Sequence, residues 1–251
     1  TRACNPQFVL TVRQNGLCQN AHPADALPAM SALPQPIYAP PPAPPRIVFI
    51  DDALIVLDKP SGLLSLPGRG PAHADSLASR VQVDHPDARI VHRLDMATSG
   101  LIVMARGAAM ERCLSIAFQQ RQVEKTYIAV VAGKPEPERG EIKLPLIADW
   151  PNRPRQKVDF ELGKPSLTTY AVIAHDAVSN TSRVELHPLT GRSHQLRVHM
   201  QAIGHPILGD DLYADSGSRH AAARLLLHAT ELSLPHPISG KQLRLESPPD
   251  F

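Results

Sequence analysis

A single carboxylate in a turn is the residue of this chain best suited to covalent or proton-transfer chemistry. Asp95 lies in the stretch His92–Gly100, with the sequence HRLDMATSG, immediately before the apolar run Leu101–Ala105. An aspartate is an anion at neutral pH without a partner to deprotonate it, so it can act as a nucleophile or a base. The same pattern would also fit an aspartate that only braces a turn, with Ser99 and Gly100 supplying the turn geometry.

A second segment with a candidate functional residue is residues 124–131, with the sequence EKTYIAVV, and its tyrosine is Tyr127. This segment is rich in β-branched residues and predicts a strand. On its own, Tyr127 would be an ordinary core or edge aromatic of that strand. One predicted helix separates it from Asp95, which is compatible with the two residues lying on neighbouring strands.

The third segment, residues 189–200, is a run of basic and imidazole side chains that continues into GHPILGD at residues 204–210. A guanidinium within hydrogen-bond reach of a carboxylate favours the anion and fixes its orientation. His194 and His199 are five residues apart, on different faces of a helix, and no glutamate stands between them as in H-E-x-x-H. We therefore predict no metal site. The side chains of interest in this segment are Arg192, His194, Arg197 and His199.

These three motifs, in this order, resemble those of the RluA-type pseudouridine synthases. Such enzymes isomerise uridine in RNA by breaking its N-glycosidic bond and rejoining the base through carbon. The resemblance covers residues 46–251. It implies that Asp95 is catalytic, that Tyr127 stacks on the target base and is a candidate for removing the C5 proton, and that Arg197 pairs with Asp95. It implies no cofactor and no metal.

Local basic groups indicate which residues bind the RNA, and the resemblance implies a role for Arg93. A stacked uridine must be flipped out to reach a pocket, and Arg93 is expected to fill the gap that the base leaves. Trp150 and the basic residues of a proline-punctuated loop suit phosphates and splayed bases, although such a loop could also be ordinary solvated surface. The predicted substrate-binding residues are His92, Arg93, Arg192, His194, Arg153, Arg155 and Lys157.

The substrate class follows from the same resemblance. Within the family, the closest branch is the one with dual specificity for rRNA and tRNA, which lacks an S4-type RNA-binding domain. This branch implies a uridine in a tRNA anticodon loop and one in a 23S rRNA hairpin. No obligate protein partner is evident from the sequence, and we expect a monomer. The first step stays open. Asp95 could attack the ribose C1′, add to the base, or abstract the 2′-hydrogen.

Composition limits the class of protein. The chain has 251 residues, 43% of them hydrophobic, and a formal net charge of only +2, so RNA affinity must come from local basic clusters. Three cysteines at non-metal spacings favour a reducing compartment. We find no apolar run long enough to span a membrane and no signal pattern at the N-terminus. The sequence therefore predicts a cytoplasmic protein without a membrane partner.

Two regions differ in composition. Residues 1–45 carry ten of the 26 prolines and few charges, which predicts a disordered tail. The first methionine is Met30, so we hypothesise that residues 1–29 are an over-extended gene start. Residues 46–251 predict one catalytic domain.

The predicted elements are mostly strands, without regular βαβ units. The sequence thus predicts an α+β fold with a mixed, mostly antiparallel sheet and flanking helices, and the resemblance implies a pseudouridine synthase fold with a central RNA-binding cleft. Strands are expected at residues 47–50, 54–57, 101–105, 127–131, 168–174, 183–186, 225–232 and 242–245, and helices at 75–83, 108–122 and 193–203.

Two alternatives use the same residues differently. A non-catalytic RNA-binding or RNA-folding module could share this scaffold, and an assay for pseudouridine would separate the two. A metal-dependent hydrolase could use the histidines, and loss of activity in chelator would be its signature.

Overall fold

Short β-rich runs bounded by turn residues form the strands of this protein, as their composition predicts. The computed structural model describes residues 38–251. The strands are β1 (Arg46–Ile50), β2 (Leu54–Lys59), β3 (Ala88–Ile90), β4 (Ser99–Arg106), β5 (Glu124–Ala132), β6 (Arg139–Ile142), β7 (Leu146–Ala148), β8 (Gln156–Val158), β9 (Thr168–Asp176), β10 (Thr181–Pro188), β11 (Leu227–Pro235) and β12 (Gln242–Glu246). The helices are α1 (Leu77–Asp84), α2 (Gly107–Gln119), α3 (Gln195–Ala202) and α4 (Ser216–His220).

Ten of these strands form one sheet. Eight run in the order β1-β2-β4-β11-β5-β10-β9-β6, while β3 pairs with β4 and β12 pairs with β11. The β4–β11 pair is parallel, and the other pairs are antiparallel. The expected α+β fold with a mixed, mostly antiparallel sheet is confirmed. The strands that follow Asp95 and carry Tyr127 are not neighbours, however, because β11 lies between them.

The centre of the sheet is buried on both faces, which explains the continuous apolar runs at residues 54–57 in β2 and 101–105 in β4. Alternate residues of these strands point into two different clusters. Ile55 and Ile102 pack in the cluster that includes Leu77 of α1, whereas Leu54 and Leu101 pack in the cluster of α2. The two helices thus cover opposite faces and hold β4, and the turn that precedes it, in place.

The described chain makes its first contacts with the domain at Tyr38, earlier than the expected boundary at Arg46. The Tyr38 hydroxyl donates to the Asp75 carbonyl at 3.0 Å, and Arg80 donates to the carbonyls of Pro41 and Ala43. The segment 38–45 was expected to belong to the tail and instead contacts α1. The predictions for residues 1–37, including the gene-start hypothesis, lie outside the described residues.

No helix within residues 38–251 is both long enough and apolar enough to cross a membrane.

Candidate active site

Asp95 lies in a turn that buried polar contacts hold on both sides. Ser65 donates its hydroxyl to the Leu94 carbonyl at 2.7 Å and accepts the Leu94 N–H at 3.1 Å. The Asp95 carbonyl accepts the Thr98 N–H at 3.1 Å. The side chain of Asp95 is 22% exposed. The carboxylate is therefore fixed through its backbone while its oxygens stay accessible.

Lys59, at the end of β2, is a buried cation beneath this turn. It is 0% exposed, and its Nζ donates to the carbonyls of Pro60, Leu63 and Met96 at 2.8–3.1 Å. Burial lowers the pKa of Lys59 to about 7, against the opposing effect of the Asp95 charge. Because Met96 follows Asp95 directly, these hydrogen bonds tie the turn to the central sheet. Sequence reasoning missed Lys59, although it lies in a segment, KPSGL, that the family resemblance includes.

His92 was predicted to bind substrate, and the structure gives its ring a different environment. Its Nε2 accepts the Val103 N–H at 3.0 Å, and the ring stacks on Phe118 with centroids 4.6 Å apart. Burial lowers the pKa of His92 to about 3, so the imidazole is neutral and acts as an acceptor. These contacts hold the start of the Asp95 turn against β4 and α2. They leave Nε2 engaged with the backbone.

Arg197, on α3, lies beside Asp95 but makes its strongest contacts with another carboxylate. Its Nη1 is 3.8 Å from Asp95 Oδ2, an ion-pair distance that is longer than a hydrogen bond. Its Nε and Nη2 donate to Asp210 at 2.8 and 2.6 Å, and both side chains are buried. The expected pairing of Arg197 with Asp95 is thus present as an ion pair. The two-point partner of the guanidinium is Asp210, to which the sequence assigned no role.

His194 faces the other oxygen of the same carboxylate. Its Nε2 is 3.9 Å from Asp95 Oδ1, and its Nδ1 is 2.6 Å from the Tyr213 hydroxyl. His194 caps α3 with a φ of 55°, in the left-handed region that non-glycine residues rarely adopt. Burial lowers the pKa of His194, which keeps the ring neutral. Tyr213, also missed from sequence, is 7% exposed.

Tyr127 lines the same cleft from β5. The side chain is 9% exposed, and its strand pairs with β11 on one side and β10 on the other. Burial, together with the nearby Asp95 charge, raises the pKa of Tyr127 above its usual range. The phenol is therefore protonated in the free protein, and Asp95 is close enough to influence it.

These residues line an open cleft of about 1170 Å³. Typical small-molecule pockets have volumes of ~300–1,000 Å³, so the cleft is as large as the roomiest of these pockets. Arg93 lies at its rim, donating to the Ser193 hydroxyl at 2.9 Å, and Arg192 donates to the Pro165 carbonyl at 3.2 Å. The cleft thus brings together Asp95, Tyr127, Arg197, His92, Arg93, Arg192 and His194.

The remaining predicted contacts, in the loop before and within β8, are absent from the described lining of the cleft. The Arg153 guanidinium lies 4.1 Å from the centroid of Trp150, which is 66% exposed. Lys157 forms a 3.5 Å ion pair with Asp159. Arg155 lies 5.5 Å from the ring centroid of Tyr213. The loop thus forms a cationic and aromatic surface beside the site, and Arg155 contacts Tyr213.

The other histidines of the third motif are engaged in the fold. His199 Nδ1 lies 2.9 Å from the Thr168 hydroxyl, and its Nε2 lies 2.9 Å from the Ser166 hydroxyl. His205 Nδ1 lies 2.8 Å from the Ala132 carbonyl. Residues 38–251 contain no group of three or more histidine, cysteine or acidic side chains placed to hold a metal ion.

The chain is similar in sequence and in structure to known RNA pseudouridine synthases. The sequence pattern of the family described as RNA pseudouridylate synthase matches residues 53–202. The dual-specificity RNA pseudouridine synthase RluA of Escherichia coli is 54% identical over 213 residues, covering 84% of this chain and 97% of that protein. The protein of the same name from Vibrio parahaemolyticus is 52% identical over 218 residues, covering 85% and 87%. The solved structure of human RNA pseudouridylate synthase domain containing 1 superposes with a TM-score of 0.69 at 28% identity, covering 87% of each chain.

Proposed function

The chain belongs to the RNA pseudouridylate synthase family and isomerises uridine to pseudouridine in RNA, and from that premise we propose that Asp95 is its catalytic residue. The observation that supports this assignment is the environment of the carboxylate. It is the acidic group of the cleft that lies between a guanidinium at 3.8 Å and an imidazole at 3.9 Å. Neither group makes a direct hydrogen bond that would occupy its oxygens, so the carboxylate lies between two basic side chains and is still available to a substrate.

The substrates we propose are a uridine in a tRNA anticodon stem-loop and one in a 23S rRNA hairpin. Two relatives that cover most of the chain carry dual specificity in their names, and the cleft, at about 1170 Å³, has room for a flipped nucleotide. We also propose that the enzyme is cytoplasmic and monomeric. It acts without metal or cofactor, because a carboxylate can supply the required anion by itself.

A nucleophilic route shows what the reaction asks of these side chains. Asp95 bonds to the ribose C1′ while the C1′–N1 bond breaks, and the uracil leaves with the bonding electron pair. After the base rotates, C5 bonds to C1′ and the carboxylate leaves with its electrons. A base then removes the C5 proton, and N1 gains one. Addition of Asp95 to the base, or abstraction of the 2′-hydrogen, would also begin from the anion.

We propose that Tyr127 removes the C5 proton and stacks on the base. In the free protein its phenol is protonated, and the Asp95 charge contributes to that state. The phenol must therefore lose its proton before it can accept one from C5, and N1 of the detached uracil, which gains a proton in the reaction, is the group that can take it. While Asp95 is an ester its charge is absent, so this contribution to the raised pKa of Tyr127 is removed at the stage when the phenol gives its proton to N1.

The direct test of the substrates uses purified protein and RNA that carries tritium at C5 of uridine. Formation of the new C5–C1′ bond releases this tritium to water. We expect release from both tRNA and 23S rRNA hairpin transcripts, and mass spectrometry locates the modified uridine. Release from one RNA alone would contradict dual specificity, and release from neither would remove both as substrates.

Tyr127→Phe is expected to retain RNA affinity while losing turnover, by about 100-fold or more. The ring that stacks on the base remains, but the hydroxyl that takes the proton is gone. Single-turnover rates at saturating RNA and filter binding measure the two effects separately. Tyr170→Phe, on β9, is a matched control because its hydroxyl donates to the Pro137 carbonyl and it does not line the described cleft. Normal turnover in Tyr127→Phe would make Tyr127 a packing residue.

Replacing Arg153, Arg155 and Lys157 together by alanine is expected to weaken binding of every RNA substrate. Each phosphate contact that is lost should remove roughly 0.7–0.9 from the slope of log affinity against log salt. A matched control removes three exposed basic side chains elsewhere, Lys134, Arg139 and Lys143, and should leave the slope nearly unchanged. Equal slopes in the two triple variants would assign the loop to ordinary solvated surface.

A further inference from the structure

The Tyr213 hydroxyl has two hydrogen-bond partners, and together they fix the direction in which its own proton points. It accepts the backbone N–H of Gln156 at 2.7 Å. Its own proton is then free for the second partner, His194 Nδ1, at 2.6 Å. A phenol with a raised pKa, as burial gives Tyr213, is a donor at neutral pH. The hydrogen bond therefore runs from Tyr213 to His194 and makes Nδ1 an acceptor.

An acceptor at Nδ1 fixes the tautomer of a neutral imidazole, because its single proton must then lie on Nε2. Nε2 is the atom that faces Asp95 Oδ1, at 3.9 Å. The opposite tautomer would turn a nitrogen lone pair towards a carboxylate and leave the Tyr213 proton without its acceptor. Electrostatics at both ends of the ring thus select the same state.

The backbone of His194 adopts a strained, left-handed conformation. A φ of 55° costs a non-glycine residue free energy, and such residues persist where the surroundings hold them in place. A hydrogen bond across this turn holds its backbone in place, since the Gln195 Oε1 accepts the Arg192 N–H at 3.0 Å. The left-handed corner places the ring between Tyr213 and Asp95.

We propose that His194 is a positioning residue for the Asp95 carboxylate, held by Tyr213 with its Nε2–H directed at Oδ1. This role rests on the proposed function of Asp95. Arg197 addresses Oδ2 and His194 addresses Oδ1, so the two donors together define the plane in which the carboxylate meets the substrate. We expect the 3.9 Å distance to shorten to a hydrogen bond when substrate binds, because catalytic contacts commonly tighten on binding.

The chain of contacts also reaches the basic loop. Gln156 follows Arg155 directly, and Arg155 lies over the Tyr213 ring. RNA seated on the loop therefore acts on the same tyrosine that sets the His194 tautomer. In this arrangement, Tyr213 connects RNA binding to the orientation of the catalytic carboxylate.

Two amide substitutions distinguish the contributions of the two imidazole nitrogens. The side-chain amide of His194→Gln reaches the Nε2 position and can still donate to Asp95, whereas that of His194→Asn reaches only the Nδ1 position, near Tyr213. We expect His194→Gln to keep a single-turnover rate within about tenfold of the unsubstituted protein. We expect His194→Asn to lose a further 10- to 100-fold, the range that a hydrogen bond to a charged group is worth. RNA affinity should stay the same in both.

A merely structural histidine would give the opposite order. Asparagine tolerates the left-handed backbone better than glutamine and keeps the contact with Tyr213. If His194→Asn matches or exceeds His194→Gln, the proposal is wrong. The same pair of substitutions at His220, exposed on α4, is the control and should show no difference between the amides.

Two further measurements keep the test decisive. If His194→Gln does not fold, His194→Ala is assayed with added imidazole, where a saturable gain in rate supports the proposal and no gain overturns it. Tyr213→Phe should lower the single-turnover rate about tenfold at unchanged RNA affinity, and an unchanged rate would overturn the role of Tyr213. An inactive unsubstituted protein would instead refute the proposed substrates, which separates the two failures.

Discussion

Asp95→Asn is expected to abolish pseudouridine formation while the fold and RNA affinity stay close to those of the unsubstituted protein. The amide has the same shape but no negative charge, and each route to pseudouridine described above begins from the anion. We expect the single-turnover rate to fall by at least 10³-fold, which corresponds to about 4 kcal/mol of barrier. Tritium release from uridine C5 measures the rate, and circular dichroism follows the fold.

The fold should tolerate this change because it depends on the backbone of Asp95 more than on its side chain. The turn is held by Ser65, by Lys59 and by the Thr98 N–H bond to the Asp95 carbonyl. Asp84→Asn, at the exposed end of α1, is the matched control and should leave the rate unchanged. Retention of more than about 1% of the original rate in Asp95→Asn would exclude the carboxylate from the first step.

Asp210→Asn is expected to lower the stability of the protein and its catalytic rate together. Asp210 is 1% exposed and accepts two hydrogen bonds from Arg197, which is itself buried. Removing one partner of a buried ion pair leaves an uncompensated charge, at a typical cost of ~3–5 kcal/mol. For a domain of this size, the melting temperature should fall by roughly 10 °C. The rate should fall as well, because Arg197 loses the contacts that orient it towards Asp95.

The adjacent residue provides the control for this prediction. Asp211 is 75% exposed and pairs with Arg219 on the surface, where ion pairs contribute little to stability. Asp211→Asn should therefore leave both the melting temperature and the rate nearly unchanged. Equal melting of the two variants would show that the buried pair does not stabilise the fold. A stable Asp210→Asn protein with full activity would remove Asp210 from the support of the site.

The cleft combines positive groups with acidic ones, in keeping with the small net charge of the chain. Glu185 and Glu231 line the cleft along with Arg93 and Arg192. Phosphate affinity therefore has to arise from the placement of particular cations, and the salt dependence of the loop variant measures the part contributed by residues 153–157. The net charge alone gave no indication of an RNA substrate.

The sequence by itself predicted most of the long elements and three residues of the candidate site, but it missed the short strands β3, β6, β7 and β8 and the short helix α4. β-rich runs gave the strands, and the helical spacing of Leu114 and Ala117 gave α2, because propensity and periodicity are local properties. Asp95, Tyr127 and Arg197 were found because short motifs keep side chains at fixed positions in the chain. All three line one cleft, as the resemblance implied.

Only the tertiary structure decided which residues contact each other. It inserted β11 between β4 and β5, gave Arg197 a two-point partner in Asp210, turned His92 towards the Val103 backbone and joined His194 to Tyr213. Each of these contacts forms between residues distant in sequence or across a turn whose backbone no local pattern predicts, such as the left-handed His194. Strand order and buried hydrogen-bond partners depend on how whole elements pack, so spacing along the chain cannot specify them.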